Sequence, residues 1–538
     1  MEGIKDYLND KSYILLTFFQ QMEKFLLNIK PREYQKQIVE TCKKKNSLVV
    51  LPTGIGKTLV ALMLVIERMK EIPTGKILFL APTRPLAEQH LNYFEKHLPE
   101  LFAQMDLFTG QVNAEKRKEI WQRADIIFST PQCIANDLKN KLYDLNEVSL
   151  LIEDEAHRCV KNYSYTYVAK KYVEQSINQR ILGLTASPGT DQKAIKKICE
   201  HLCIENVEIR TRDSEDVKEY LQDLEFNIIK VEFPKRFEEI RDLLKKIYDR
   251  KIGELKNRNL IFGPANKVTL IEAQKKIMKS IASGNKNMNL FAGASACAQA
   301  LKISHALELI ETQTLYGLNE YFSTLKEQAK NNQSKAVKQI ISRPEFTQAE
   351  NLTNELLKEN LEHPKLLELK DLIEQRIKQN PKSKIIVFSQ YRDSVLKICK
   401  ELNLLNVSSK VFVGQTKKGE TGLSQKEQKQ IIKDFSLGEF RVLCATSIGE
   451  EGLDIPEVNA VIFYEPVPSA IRKIQRAGRT ARLMPGELII LVTKNTKDEA
   501  SYWSAHHKEK RMHSALQKIK DDIKDNKLNF EDNQKKLF

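Results

Sequence analysis

Leu51-Pro52-Thr53-Gly54-Ile55-Gly56-Lys57-Thr58 follows the apolar run Ser47–Leu51 and precedes the helical run Leu59–Met69. A phosphate loop needs glycines so that backbone N–H groups can converge on an anion, a lysine for its charge, and a hydroxyl for Mg²⁺. Gly54, Gly56, Lys57 and Thr58 supply these, with Thr53 beside them in the loop. Leu51 stands where the general pattern has its first glycine. The stretch by itself therefore also fits a glycine-rich turn that binds nothing.

The surroundings of the loop set the fold class. Short, nearly continuous apolar runs fit strands covered on both faces of a parallel sheet. One group comprises Ser47–Leu51, Lys76–Leu80, Asp125–Ser129, Leu150–Asp154 and Ile181–Thr185. A second comprises Lys384–Ser389, Lys410–Val413, Arg441–Thr446, Ala460–Tyr464 and Leu488–Val492. Two α/β domains are expected, over about 31–212 and 375–495, after an N-terminal extension 1–30. Between them Ile240, Leu243, Leu244 and Ile247 follow the spacing of one helical face, and good helix formers dominate beyond. Residues 225–372 read as an inserted helical domain, and 500–538 as a basic tail with a helix and a disordered end.

The chain has 538 residues, with 86 Lys+Arg against 71 Asp+Glu and a formal charge of +15. That length gives more than one sizeable core. A hydrophobic share of 41% and a charged share of 29% exclude a collagenous or wholly disordered chain. The basic balance favours polyanionic partners, nucleic acid or an anionic membrane surface. Part of it is local, since residues 241–290 carry 12 Lys+Arg against 4 Asp+Glu. Any one of those lysines could equally belong to a solvated helix face. The run Tyr13–Phe19 is too short to span a membrane and lacks signal-peptide flanks. Eight cysteines are too dilute for a disulfide framework, no paired CxxC units offer a zinc site, and Cys199 and Cys203 fit buried thiols. An intracellular protein is expected, in the cytoplasm and nucleoid-associated if prokaryotic.

A second signal strengthens the first. Leu151-Ile152-Glu153-Asp154-Glu155-Ala156-His157 ends an apolar strand on adjacent carboxylates. In phosphate-loop ATPases the first carboxylate holds Mg²⁺ and the next polarises the attacking water. These residues together resemble the superfamily-two helicases of the Asp-Glu-Ala-His type. Pro31-Arg32-Glu33-Tyr34-Gln35 resembles the family's adenine-recognition element. The resemblance implies that Arg32 stacks on the base and Gln35 bonds its edge. It implies strand contacts for Pro82, Thr83, Arg84, Thr109, Gly110, Ser129, Thr130, Ser389, Gln390 and Thr446. Their hydroxyls and amides suit phosphates rather than base edges. His157, Thr185 and Ser187 would couple the nucleotide site to the second domain. Gly452 and Asp454 would meet the nucleotide, while Gln475, Arg479 and Arg482 would act catalytically from across the cleft, the arginines as fingers. Ala481 stands where the family usually has glycine. Lys57, Asp154 and Glu155 complete the catalytic set, Thr58 and Asp154 the magnesium set, and ATP with Mg²⁺ the implied cofactors. The implied fold is two RecA-like parallel-sheet domains flanking a helical insertion.

The insertion narrows the resemblance to the group holding archaeal Hef, eukaryotic FANCM, Dicer and the RIG-I-like receptors. The run from Lys235 looks most like the Hef/FANCM insertion. That resemblance implies an ATP-dependent helicase or translocase on branched DNA, with the 241–290 stretch on a duplex arm. No nuclease core resembling that of Hef occurs, so a separate structure-specific nuclease is an expected partner. Gln534, Leu537 and Phe538 resemble a truncated sliding-clamp motif, although an unstructured basic end explains them as well. Two alternatives stand: an RNA-duplex-stimulated ATPase of the RIG-I/Dicer group, and a nucleic-acid-binding scaffold with a relic ATP site.

Overall fold

The computed structural model describes residues 25–189, 192–211, 214–220, 224–284, 287–414, 422–446, 456–467 and 486–524. Two wholly parallel sheets organise it. The first contains β1 (Ser47–Val50), β2 (Lys76–Leu80), β3 (Met105–Phe108), β4 (Ile126–Ser129), β5 (Val148–Asp154), β6 (Ile181–Thr185) and β7 (Asn206–Ile209), in the order β3-β4-β2-β5-β6-β1-β7. Alternate residues enter opposite cores, as the two-residue period of a strand requires. Leu48 and Val50 face one layer, Val49 and Leu51 the other. Helices cover both faces, which is why the strands read as unbroken apolar runs.

The second sheet contains β8 (Leu224–Val231), β9 (Ile385–Phe388), β10 (Ser409–Phe412), β11 (Val442–Ala445), β12 (Ala460–Phe463) and β13 (Gly486–Thr493), in the order β10-β11-β9-β12-β13-β8. Strand β8 corrects the sequence expectation. It was assigned to the helical insertion, yet it pairs in parallel with β13 along its whole length, from Leu224 opposite Gly486 to Val231 opposite Thr493. As an edge strand it packs Ile229 against the second core and leaves Phe226 and Ile228, on its other face, exposed. The helix Pro364–Gln379 also falls across the expected boundary. Leu366, Leu369 and Ile373 pack with Ile385 and Val387 of β9 in the core of the second domain.

The helical insertion is therefore shorter than expected. It runs from the helix Lys235–Asn257, which buries Ile240, Leu244 and Ile247, to the helix Pro344–Lys358. At its junction with the second domain lies a buried polar network. Lys365 is wholly buried and its Nζ donates to Thr312 O at 2.6 Å and Asp498 Oδ2 at 2.7 Å. Gln313, also wholly buried, accepts from Ser389 Oγ at 3.1 Å and Ser394 Oγ at 2.8 Å.

The segment expected as a basic tail includes a long helix, Lys497–Lys524, that spans both α/β domains. Near its start Asp498 joins the buried network and Tyr502 packs on the second core. Further along, Met512, Leu516 and Ile519 are buried in the first core. Gln534, Leu537 and Phe538 lie outside the described residues, as does the extension before Phe25. No helix among the described residues is long and apolar enough to cross a membrane.

Candidate nucleotide and strand-contact site

Apart from Arg32 and Gln35, which start the helix Glu33–Lys44 ahead of β1, the predicted site residues of the first domain lie at or beyond the carboxyl ends of parallel strands, where open α/β sheets bind ligands. The sheet order divides them. The Gly54–Thr58 loop follows β1, Asp154 ends β5, and Thr185 ends β6. Pro82-Thr83-Arg84 follows β2, Thr109-Gly110 follows β3, and Ser129-Thr130 closes β4. Thus β5-β6-β1 carry the nucleotide motifs and β3-β4-β2 the strand-contact motifs, side by side on one sheet.

The loop is built around two left-handed glycines, Gly54 at φ 88° and Gly56 at φ 87°. At Gly56 a β-carbon would lie 2.2 Å from Gln35 Nε2, so the glycine is needed for close approach as well as for its turn. Gln35 is buried, donates to Ile55 O at 3.2 Å and accepts from Arg32 N at 2.9 Å. Its amide is thus engaged with the loop and its own helix start, where a base-edge contact was expected. Arg32 Cζ lies 5.1 Å from the centre of the Tyr220 ring, a cation–π contact on the residue expected to meet a base. Lys57 Nζ donates to Leu51 O at 3.1 Å, which holds its charge inside the loop. The helix Lys57–Glu71 has no side-chain cap, leaving its first N–H groups for an anion.

Asp154 is nearly buried and its Oδ2 accepts from His90 Nε2 at 2.8 Å. Burial opposes its ionisation, but the His90 hydrogen bond and the charges of His90 and Lys57 outweigh that and hold its pKa below the usual carboxylate value. Tyr165 clamps the strand end by donating to Asp154 O at 2.6 Å. Glu155 adopts a left-handed φ of 52° and places Oε2 3.2 Å from His157 Nδ1, too oblique for a hydrogen bond. That ring nitrogen is also 3.2 Å from Thr185 Oγ1, which accepts from Ser187 N at 3.1 Å. The expected coupling residues His157, Thr185 and Ser187 therefore form one contiguous chain. Ser187 Oγ continues it by donating to Met512 Sδ at 2.7 Å on the long C-terminal helix.

The expected strand contacts fall into two groups. Arg84 bonds Gln111, bridging the loops after β2 and β3; Gly110 and Gln390 are exposed, and the Thr83 hydroxyl has no hydrogen-bond partner among the described residues. Ser129 and Ser389 differ from the expectation: both are fully buried, Ser129 donating to Phe108 O and Ser389 to Gln313 and Glu465. Their hydroxyls are engaged inside the protein and shape the loops. Thr109 and Thr446 are also buried. Gly452, Asp454, Gln475, Arg479 and Arg482 lie outside the described residues. Spacing gave no signal for His90, Gln313, Glu465 or Met512, because each acts across elements distant in sequence.

The arrangement defines a class: a two-domain parallel α/β protein with a phosphate-loop-like turn after β1 and the motif-bearing loops after β2, β3 and β4 on the same sheet. Residues 32–195 match the DEAD/DEAH box helicase family model and residues 364–484 the helicase conserved C-terminal domain. Residues 236–355 match a model described as "Putative ATP-dependent RNA helicase, helical bundle". The chain is similar to the crystal structure of the Pyrococcus furiosus Hef helicase domain, with 43% identity and a TM-score of 0.68, covering 88% of this chain and 98% of that one. It is 38% identical to a Methanocaldococcus jannaschii protein named "Putative ATP-dependent RNA helicase MJ1505", over 91% of this chain and 61% of that protein. It is 32% identical to the ATP-dependent DNA helicase mph1 of Neurospora crassa, over 88% of this chain and 42% of that protein. The DEAD-box ATP-dependent DNA helicase Fancm of Drosophila melanogaster is also 32% identical, over 88% of this chain and 34% of its own length. The chain thus spans between about a third and three-fifths of these curated relatives. It belongs to the superfamily-two helicases, in the branch that includes the Hef helicase domain.

Proposed function

We propose that this chain is an ATP-dependent DNA helicase or translocase that acts on branched DNA such as forks and four-way junctions. The adjacency of nucleotide and strand-contact loops on one sheet carries the motor reading. The DNA reading is supported by relatives named as DNA helicases, and the branched-DNA reading by the basic helical insertion. Lys57 and the main-chain N–H groups heading its helix would hold the phosphates of ATP, with Thr58 and Asp154 on Mg²⁺. The bound nucleotide supplies the free energy of phosphoryl transfer. Glu155 would orient the attacking water and take its proton, and Arg479 and Arg482 would stabilise charge from the second domain. The chain from His157 through Thr185 and Ser187 to Met512 gives the site a route to the helix shared by both domains.

The test is the ATPase rate with Mg²⁺ against linear duplex, forked DNA, a four-way junction and duplex RNA at one salt concentration. Phosphate contacts make affinity salt-dependent, so the salt must be fixed. Greatest stimulation by fork or junction supports the proposal. Stimulation by RNA alone overturns it in favour of an RNA-directed motor. Lys57→Ala is expected to abolish turnover while DNA binding persists; full turnover in that variant would refute the assignment of the loop.

A further inference from the structure

The helical insertion contains an open cavity of about 410 Å³, away from the nucleotide and strand-contact loops. That is within the range of small-ligand sites. Its apolar wall comprises Leu260, Ile261, Phe262, Ala273, Ile277 and Leu290. The loop forming one side is anchored at both ends. Tyr248 Oη donates to Ala265 O at 2.8 Å, and an Arg258 guanidinium nitrogen donates to Asn289 Oδ1 at 2.8 Å. Gly293 lets Leu260 pack flat against the next helix, since a β-carbon there would lie 2.1 Å from Leu260 Cδ1. Phe262 is 76% exposed at the mouth. Lys276 lines the cavity against one acid, Glu272, and Lys275 and Lys279 are exposed on the same helix.

An exposed aromatic ring over an apolar hollow, bordered by lysines, is suited to an unstacked base with its flanking phosphates. The surrounding stretch has the matching charge, with 12 Lys+Arg against 4 Asp+Glu over residues 241–290. A continuous duplex keeps its bases stacked and has none to offer, whereas a fork with single-stranded nucleotides at its branch exposes unpaired ones.

We propose that this cavity captures an unpaired base at a DNA branch point, with Phe262 stacking on it and Lys275, Lys276 and Lys279 holding adjacent phosphates. The inference rests on the DNA reading above and adds to it a device for distinguishing branched from continuous duplex.

The test compares binding of a fork with unpaired nucleotides at its branch against a blunt duplex of equal length. Fluorescence anisotropy at one salt concentration would be read for the full chain and for Phe262→Ala, Gly293→Ala and Lys275→Ala/Lys276→Ala/Lys279→Ala. Phe262→Ala is expected to weaken fork binding roughly tenfold, the scale of one lost stack, and to leave duplex binding within about twofold. Gly293→Ala, which drives Leu260 toward the cavity, should do the same. The triple lysine variant should weaken fork binding and flatten its salt dependence. A 2-aminopurine at the branch should change emission on binding the parent protein and not Phe262→Ala. Equal effects of Phe262→Ala on fork and duplex, or none on either, would overturn the proposal, including in favour of a protein occupant. DNA-stimulated ATPase in the same samples separates the two readings. If no DNA stimulates the parent chain, the DNA reading itself fails; if stimulation persists while fork preference ignores Phe262, only the cavity assignment fails.

Discussion

Replacing Lys365 with methionine tests whether the buried network fastens three parts of the chain together. Lys365 Nζ bonds Thr312 O at the end of an insertion helix and Asp498 Oδ2 at the start of the long C-terminal helix. It also lies 4.8 Å from the Tyr464 ring centre. Asp498 Oδ2 accepts in addition from Thr493 N at 3.1 Å, fixing the end of β13. Asp498 is only 2% exposed, so Lys365→Met leaves a carboxylate with nowhere to be solvated. Removing one partner of such a pair costs about 3–5 kcal/mol. In native-state hydrogen exchange this would appear as protection falling by roughly 150- to 4,000-fold at the Thr493 amide and its neighbours, a local opening in a multidomain protein. Lys365→Met/Asp498→Leu removes both charges and should recover most of that protection, because an apolar pair of similar volume avoids the desolvation penalty. The reasoning is refuted if Lys365→Met accelerates exchange there by less than about fivefold, or if the double variant exchanges as fast as the single one.

Glu153 supplies a second expectation: it is wholly buried, and burial pushes its pKa up to about 8, opposed by a hydrogen bond with the Cys159 thiol. The folded protein then keeps a proton that the unfolded chain releases, so stability falls as pH rises from about 4.5 to about 8; Glu153→Gln should raise the unfolding free energy measured in urea by on the order of a few kcal/mol near pH 8 and by nothing near pH 4, and a pH-independent effect would contradict this. Met512 is 2% exposed against Ser187, so Met512→Ala should cost about 2–5 kcal/mol in urea unfolding. It should also lower DNA-stimulated ATPase more than the basal rate, whereas equal loss of both would make the contact purely structural.

The phosphate loop, the Asp-Glu pair and the serial motifs were legible because each is local: a strand, a turn and a helix write their requirements into about ten consecutive residues. The same holds for the apolar runs that became central strands. What was not legible depends on partners far along the chain. Strand β3 mixes polar and apolar residues at a sheet edge, and β8 finds its place only through β13. Ser129 and Ser389 have the composition of phosphate-contacting loops, and only their burial shows that their hydroxyls face inward. The long C-terminal helix reads as polar because its apolar residues are divided between two cores instead of forming one stripe.

The pairing of β8 with β13 also imposes an order on synthesis. Roughly 260 residues separate the two strands, and the whole helical insertion lies between them. A ribosome therefore releases an unpaired strand long before its mate exists, while the intervening helices have all their own partners at hand. Local helical contacts form quickly and distant strand pairing waits. The nascent chain should carry a folded insertion and a first domain that still lacks Met512, Leu516 and Ile519, joined by one bare strand, Phe226 and Ile228 included, until the last strand of the second sheet emerges. That interval is the period in which a chaperone would find something to hold.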